Sequence, residues 1–155
     1  MVTKMIKALF VCHGNICRSP MAEFILKDMV KKAGLESEFE IRSAATSTEE
    51  IGNPVYPPAK AKLAEYGISC AGKTAVRMTK SDYDYYDCII AMDRHNLRNM
   101  KNFIGSDDKI KVSLMMDYTD RGGDVADPWY TGDFETTRRD ITEGCKGFLK
   151  KLGLL

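Results

Sequence analysis

The sequence is short of the features that mark several large classes of protein. Its 155 residues include one tryptophan, two histidines and five cysteines. The cysteines are Cys12, Cys17, Cys70, Cys88 and Cys145, an odd number with no C-x-x-C pair. That spacing argues against a secreted disulfide framework, and against a zinc site built from paired ligands. No apolar run approaches the ~20 residues of a membrane span. The leading Met-Val-Thr-Lys-Met-Ile-Lys carries two lysines, and the run Ala8–Cys12 that follows is short. A secretory core would need roughly 7–15 apolar residues. Neither sign of charge dominates: 23 basic against 22 acidic residues leave a net charge of +1. That balance argues against a general binder of nucleic acid or anionic membranes. We therefore expect a cytoplasmic protein with no nucleic-acid or membrane partner.

What is present suits a soluble globular domain. Hydrophobic residues make up 44% and charged residues 29%, enough to build and solubilise one core without disulfides or metal. A single domain spanning residues 1–155 is expected. Ala8–Val11 reads as a strand buried on both faces. After a short loop, Pro20 suits a helix's first turn. Met21, Ala22, Ile25, Leu26, Met29, Val30 and Ala33 recur at helical spacing up to Gly34. Further strands are expected at Phe39–Arg42, ending near Ala45, at Cys88–Met92 and at Ile110–Met115. Helices are expected at about 59–66, around Leu97–Ile104 and at about 134–152. The run Ser81–Asp87, with Tyr83, Tyr85 and Tyr86, reads as a partly packed loop or as a phosphorylated or partner-binding surface. Asp117–Asp133 reads as a long polar loop, and loops of that length are usually functional. Cys70, Cys88, Cys145 and the nine methionines read as packing residues. His13 and His95 read as outward-facing. The alternation predicts an α/β fold, a Rossmann-like four-stranded parallel sheet with helices on both faces and a phosphate loop after strand 1.

That loop is Cys12-His13-Gly14-Asn15-Ile16-Cys17-Arg18-Ser19. A loop from a strand's carboxyl end into a helix N-terminus gathers backbone N–H groups into an anion cradle. Gly14 and Asn15 are residue types that tolerate positive φ. The cradle would stabilise a Cys12 thiolate, a strong nucleophile. The Arg18 guanidinium matches two phosphate oxygens. Ser19 can donate to the Cys12 sulfur. The alternative is a buried strand-end cysteine beside a surface arginine. Expelling a phenolate, whose conjugate acid has a pKa of about 10, calls for an acid. Asp127, before Pro128, is the candidate, with Trp129 and Tyr130 as walls for an aromatic leaving group. A plain Asp-Pro turn with both rings docked on the fold reads equally well from these residues.

Val11 to Glu23, V-C-H-G-N-I-C-R-S-P-M-A-E, resembles the signature of the low-molecular-weight protein tyrosine phosphatases. Ser43-Ala44-Ala45-Thr46, Ala91-Met92-Asp93 with Asn96-Leu97, and Asp127-Pro128 through Phe134-Glu135 match further blocks, so the resemblance spans essentially the whole chain. It implies attack by Cys12 on phosphorus, oxygens held by Arg18 and the loop, and Asp127 as acid and then base. It implies no metal and no cofactor. It implies that His13, Gly14, Asn15, Ile16, Cys17, Ser19, Glu49, Trp129 and Tyr130 form the substrate site, with Ser43 supporting the thiolate. Cys17 would form a reversible disulfide with Cys12. The implied partner is a phosphotyrosine-containing protein, opposed by a cognate tyrosine kinase, and the implied assembly is a monomer or weak dimer.

The chain also departs from the family. Thr48, Glu49 and Glu50 stand where many members carry an aromatic residue, so acidic phosphopeptides should bind less well. Lys73-Thr74-Ala75-Val76-Arg77 replaces a histidine-containing stretch, so that support of Asn15 is missing or rebuilt. Arginine-phosphate phosphatases of the family carry Thr in place of Ile16, and related arsenate reductases need two further cysteines close together. A non-catalytic phosphate-binding module is the remaining alternative.

Overall fold

The computed structural model describes residues 5–155; the expectations placed on Met1–Lys4 lie outside the described residues. Four parallel strands form the sheet: β1 (Ile6–Cys12), β2 (Phe39–Ala45), β3 (Cys88–Ala91) and β4 (Val112–Leu114). Their order is β2-β1-β3-β4. Cys12 pairs in register with Ala45, and Val11 with Ala91. The helices are α1 (Arg18–Lys32), α2 (Pro57–Ala64), α3 (Lys80–Tyr85), α4 (Arg94–Ile104), α5 (Pro128–Thr131) and α6 (Phe134–Lys151).

Residues of β1 alternate between two cores, as a strand's period of two requires. Ala8, Phe10 and Cys12 join Met21, Leu26, Leu63, Ile141 and Phe148 from α1, α2 and α6. Leu9 and Val11 join Met78, Tyr83 and Met100 on the α3 and α4 side. Helices therefore cover both faces, and β1 is wholly buried from Ala8 onward. Cys145, Met21, Met78, Met92, Met100, Met115 and Met116 are core residues, matching the packing role expected of them. The helix α1 ends at an Ala33 cap, and Gly34 follows with φ 75°. No helix among the described residues is long and apolar enough to cross a membrane.

Three expectations are corrected. The tyrosine run is a helix, α3, because Thr79 and Asp82 cap its start reciprocally and Tyr83 is buried. The fourth strand is shorter than expected. Ile110 has φ 52°, and Asp107 accepts from the N–H groups of Lys111 and Val112, which turns the chain before Val112. The polar segment Asp117–Asp133 begins inside a 3-10 turn at Met115–Tyr118 and contains the short helix α5.

That turn packs directly on α6. A Cβ added at Gly147 would lie 1.8 Å from the Tyr118 carbonyl oxygen, and one at Gly144 would lie 2.8 Å from that of Met115. The expected result for Gly147→Ala is therefore destabilisation, although alanine favours helices by about 1 kcal/mol over glycine. Overpacking against backbone should cost about 2 kcal/mol net, a fall in Tm of roughly 4–8 °C in a thermal melt.

Candidate active site

The strand order reverses at β1 and β3, which places the loops after these strands side by side. In such sheets ligands bind outside the carboxyl ends of the strands at this point. Cys12 ends β1, and residues 13–17 carry the chain to Arg18 at the start of α1. Asn15 has φ 59°, the left-handed turn that the cradle needs. Gly14 does not have positive φ. An added Cβ there would lie 3.3 Å from Glu50 Cγ, so the loop passes close beneath that side chain.

Of the expected site residues, Cys12, His13, Gly14, Ile16, Cys17, Arg18, Glu49, Asp127, Trp129 and Tyr130 line one cavity of about 230 Å³, joined by Glu50. Asn15, Ser19 and Ser43 lie behind it, all buried. The Cys12 sulfur is 2.9 Å from Ser19 Oγ and accepts the Ser19 N–H at 3.4 Å. Asn15 Nδ2 donates to Ser19 Oγ at 2.8 Å and to Ser43 Oγ at 3.0 Å, while its Oδ1 accepts the Val76 N–H at 3.1 Å. Lys73, in the stretch expected to differ, touches Ser43 and Glu23 and not Asn15: its Nζ donates to the Ser43 carbonyl at 2.8 Å and lies 3.6 Å from Glu23 Oε1.

Arg18 is not a surface charge. It is 3% exposed, and its Nη1 donates to Asp93 Oδ2 at 2.6 Å and to the Val125 carbonyl at 2.9 Å. Its Nη2 lies 3.5 Å from Asp127 Oδ2. Burial opposes the charged guanidinium, but Cys12, Asp93 and Asp127 beside it outweigh that and hold its pKa above the ordinary value. Asp93 and Val125 were not singled out from the sequence as site residues. Asp93 also caps α4, accepting the Asn96 N–H at 2.8 Å. The capping pattern D-x-x-N was a legible signal for a helix start. Its meeting with Arg18, 75 residues away, was not legible.

Asp127 caps α5, and its Oδ1 accepts the Trp129 N–H at 3.0 Å. This is an Asp-Pro turn and a cavity wall at once. Trp129 rests on Tyr56, with ring centroids 4.7 Å apart. Tyr130 is 84% exposed at the cavity mouth. The opposite rim is acidic, but Glu49 is engaged: its Oε2 is 2.9 Å from His13 Nε2. His13 is half-buried along the cavity wall, with its Nε2 turned outward to exposed Glu49. All five cysteines are free. Cys17 is pushed up to about 12 by burial first, then by Cys12 and Asp127, so it stays a neutral thiol at ordinary pH.

A sulfur, a guanidinium and a carboxylate line one small cradle, the groups that a cysteine-based site for an oxyanion would use. The model of the family described as low molecular weight phosphotyrosine protein phosphatase matches residues 7–154. The chain is 39% identical over 150 residues to the low molecular weight protein-tyrosine-phosphatase YfkJ of Bacillus subtilis, covering 96% of each chain. The crystal structure of YfkJ superposes with a TM-score of 0.93 over 97% of this chain and 96% of that one. The human low molecular weight phosphotyrosine protein phosphatase is 36% identical over 148 residues, covering 92% of this chain and 93% of its own. A Drosophila arginine phosphatase, 28% identical, matches in structure with a TM-score of 0.85 over 95% of this chain and 98% of its own. The chain belongs to the low molecular weight phosphotyrosine protein phosphatase family.

Removing Asp93 should strand a buried charge. Asp93→Ala is expected to lose about 3 kcal/mol of stability in urea denaturation, because a buried ion pair is costly to break one-sidedly. Asp93→Asn, which still caps α4, should lose visibly less.

Proposed function

We propose that this protein hydrolyses phosphotyrosine in proteins through a phosphocysteine intermediate. The observation that carries this reading is the convergence of Cys12, Arg18 and Asp127 on one cavity beneath aromatic walls. Cys12 Sγ attacks phosphorus and forms the S–P bond as the P–O bond to tyrosine breaks. Arg18 and the loop N–H groups hold the three equatorial oxygens, whose charge grows in a loose transition state. Asp127 gives its proton to the departing phenolate. It then takes a proton from the water that attacks the phosphocysteine, releasing phosphate and restoring the thiolate. Ile16, Trp129 and Tyr130 favour an aryl group over an aliphatic or guanidino one. Asn15, Ser19 and Ser43 support the sulfur.

Cys17 serves as a resolving thiol. When a peroxide oxidises Cys12 to its sulfenic acid, Cys17 displaces water to form the Cys12–Cys17 disulfide, which a thiol reductant reopens. The finer setting we propose is a cytoplasmic monomer or weak dimer opposing a tyrosine kinase, with no metal or cofactor.

The expected outcome is turnover of a phosphotyrosine peptide, with chelator and reductant present, and none of phosphoserine or phosphoarginine peptides. Preferential turnover of phosphoarginine would replace the aryl reading with the one suggested by the arginine phosphatase relative. Cys12→Ser should abolish hydrolysis and still bind inorganic phosphate; hydrolysis at the normal rate would remove Cys12 as nucleophile. Asp127→Ala should slow poorly leaving phenolates by about a hundredfold or more. Activated aryl phosphates should be slowed far less, and equal slowing of both would take Asp127 out of the acid role. Peptides with acidic flanks should show a higher KM than those with basic flanks, because Glu49 and Glu50 line the mouth.

A further inference from the structure

We infer that Lys73 is a positioning residue for Cys12, acting through Glu23, Ser43, Asn15 and Ser19. The inference rests on Cys12 being the nucleophile. It starts from a rule of proton direction. A backbone N–H can only donate, so the atom of Asn15 that faces Val76 N at 3.1 Å is the carbonyl oxygen. The Asn15 amide nitrogen therefore faces the two serine hydroxyls and donates to both. Each hydroxyl, having accepted, sends its own proton elsewhere. Among the described residues the Cys12 sulfur, 2.9 Å away, is the one acceptor within reach of the Ser19 hydroxyl, so that proton goes to sulfur, the arrangement that a thiolate requires. The proton of Ser43 goes to Glu23 Oε1 at 2.5 Å.

The far end of this chain is a buried carboxylate, 2% exposed, which keeps its acceptor role only while its charge is balanced. Two ammonium groups balance it. Lys27 Nζ reaches Glu23 Oε2 at 2.5 Å, but its side chain is 35% exposed. Lys73 approaches Oε1 from inside, with a side chain 11% exposed. Its bond to the Ser43 carbonyl pins the strand that carries the hydroxyl. It also begins the segment that delivers the Val76 N–H, and the Val76 carbonyl in turn accepts the Ala45 N–H. Burial lowers the Lys73 pKa while Glu23 raises it, so the ammonium depends on that partner. Without Lys73, Lys27 alone holds the carboxylate and draws it away from Ser43 toward the surface, and the Ser43 carbonyl loses its donor. Ser43 then turns its proton toward Asn15, and the amide has reason to flip against the Val76 N–H. The Ser19 proton is then no longer directed at sulfur.

The test is the pH dependence of Cys12 alkylation by iodoacetamide, a neutral reagent that follows the thiolate, measured on variants with native near-UV circular dichroism. Lys73→Met should displace the alkylation curve toward alkaline pH by about one unit, the scale of one misdirected bond to a charged group. kcat for an aryl phosphate should fall with it. Lys73→Arg should restore most of the displacement. An unmoved curve in Lys73→Met overturns the inference, as does an equal displacement in Lys73→Arg, which would mean that only the shape of lysine matters. Should Lys73→Met fail to fold, Glu23→Gln decides in the same way: a displaced curve supports the inference and an unmoved one overturns it. A wild-type Cys12 that alkylates only at strongly alkaline pH would instead sink the nucleophile assignment itself.

Discussion

Arg18 is buried between Asp93 and Asp127, and this arrangement ties three distant segments into one site. The guanidinium belongs to the start of α1, Asp93 to the loop after β3, and Asp127 to the start of α5. A buried cation must be paired, so each carboxylate is drawn to the same place. The pair with Asp93 links the N-terminus of α4 to that of α1, and the Val125 carbonyl accepts from the same guanidinium nitrogen. Arg18 is thereby fixed in direction before any phosphate arrives, so little side-chain freedom remains to be lost on binding.

The phosphate loop is held from both sides. In front of it, Arg18 and Asp127 face the cavity. Behind it, Asn15 joins Ser19, Ser43 and the Val76 backbone, and the buried Glu23 closes the network. The left-handed turn at Asn15 costs backbone energy, and its side-chain bonds offset it. The cavity then contains one acceptor sulfur, one fixed cation and one carboxylate within a rim whose own charges are partly spent on each other, as in the His13–Glu49 contact.

Much of this was legible in the sequence because it is local. The strand, cradle and helix from Ile6 to Lys32 follow one another without interruption, so apolar runs and the Cys12–Ser19 spacing were enough to place them. The second strand ends at Ala45 as expected, and Gly34 follows α1. The misses share a cause. The helix α3 is stabilised by Tyr83 packing into the second core and by a hydroxyl bond from Tyr83 to Asp107, 24 residues away. An acidic, tyrosine-rich run gives no local sign of either. The early start expected for β4 ignored the turn that Asp107 imposes on Ile110 to Val112.

The sequence by itself determined the alternation of strands and helices and the cradle after β1 with Cys12 and Arg18 at its two ends, because each depends on residues close together in the chain. Only the tertiary structure decided that Arg18 faces inward, that Asp93 is its partner, and that Lys73 meets Glu23 and Ser43. These depend on which loops the strand order brings together. Once the Val76 N–H meets Asn15, the amide's orientation, and with it the donation to Ser19 and Ser43, follows from an N–H being able only to donate.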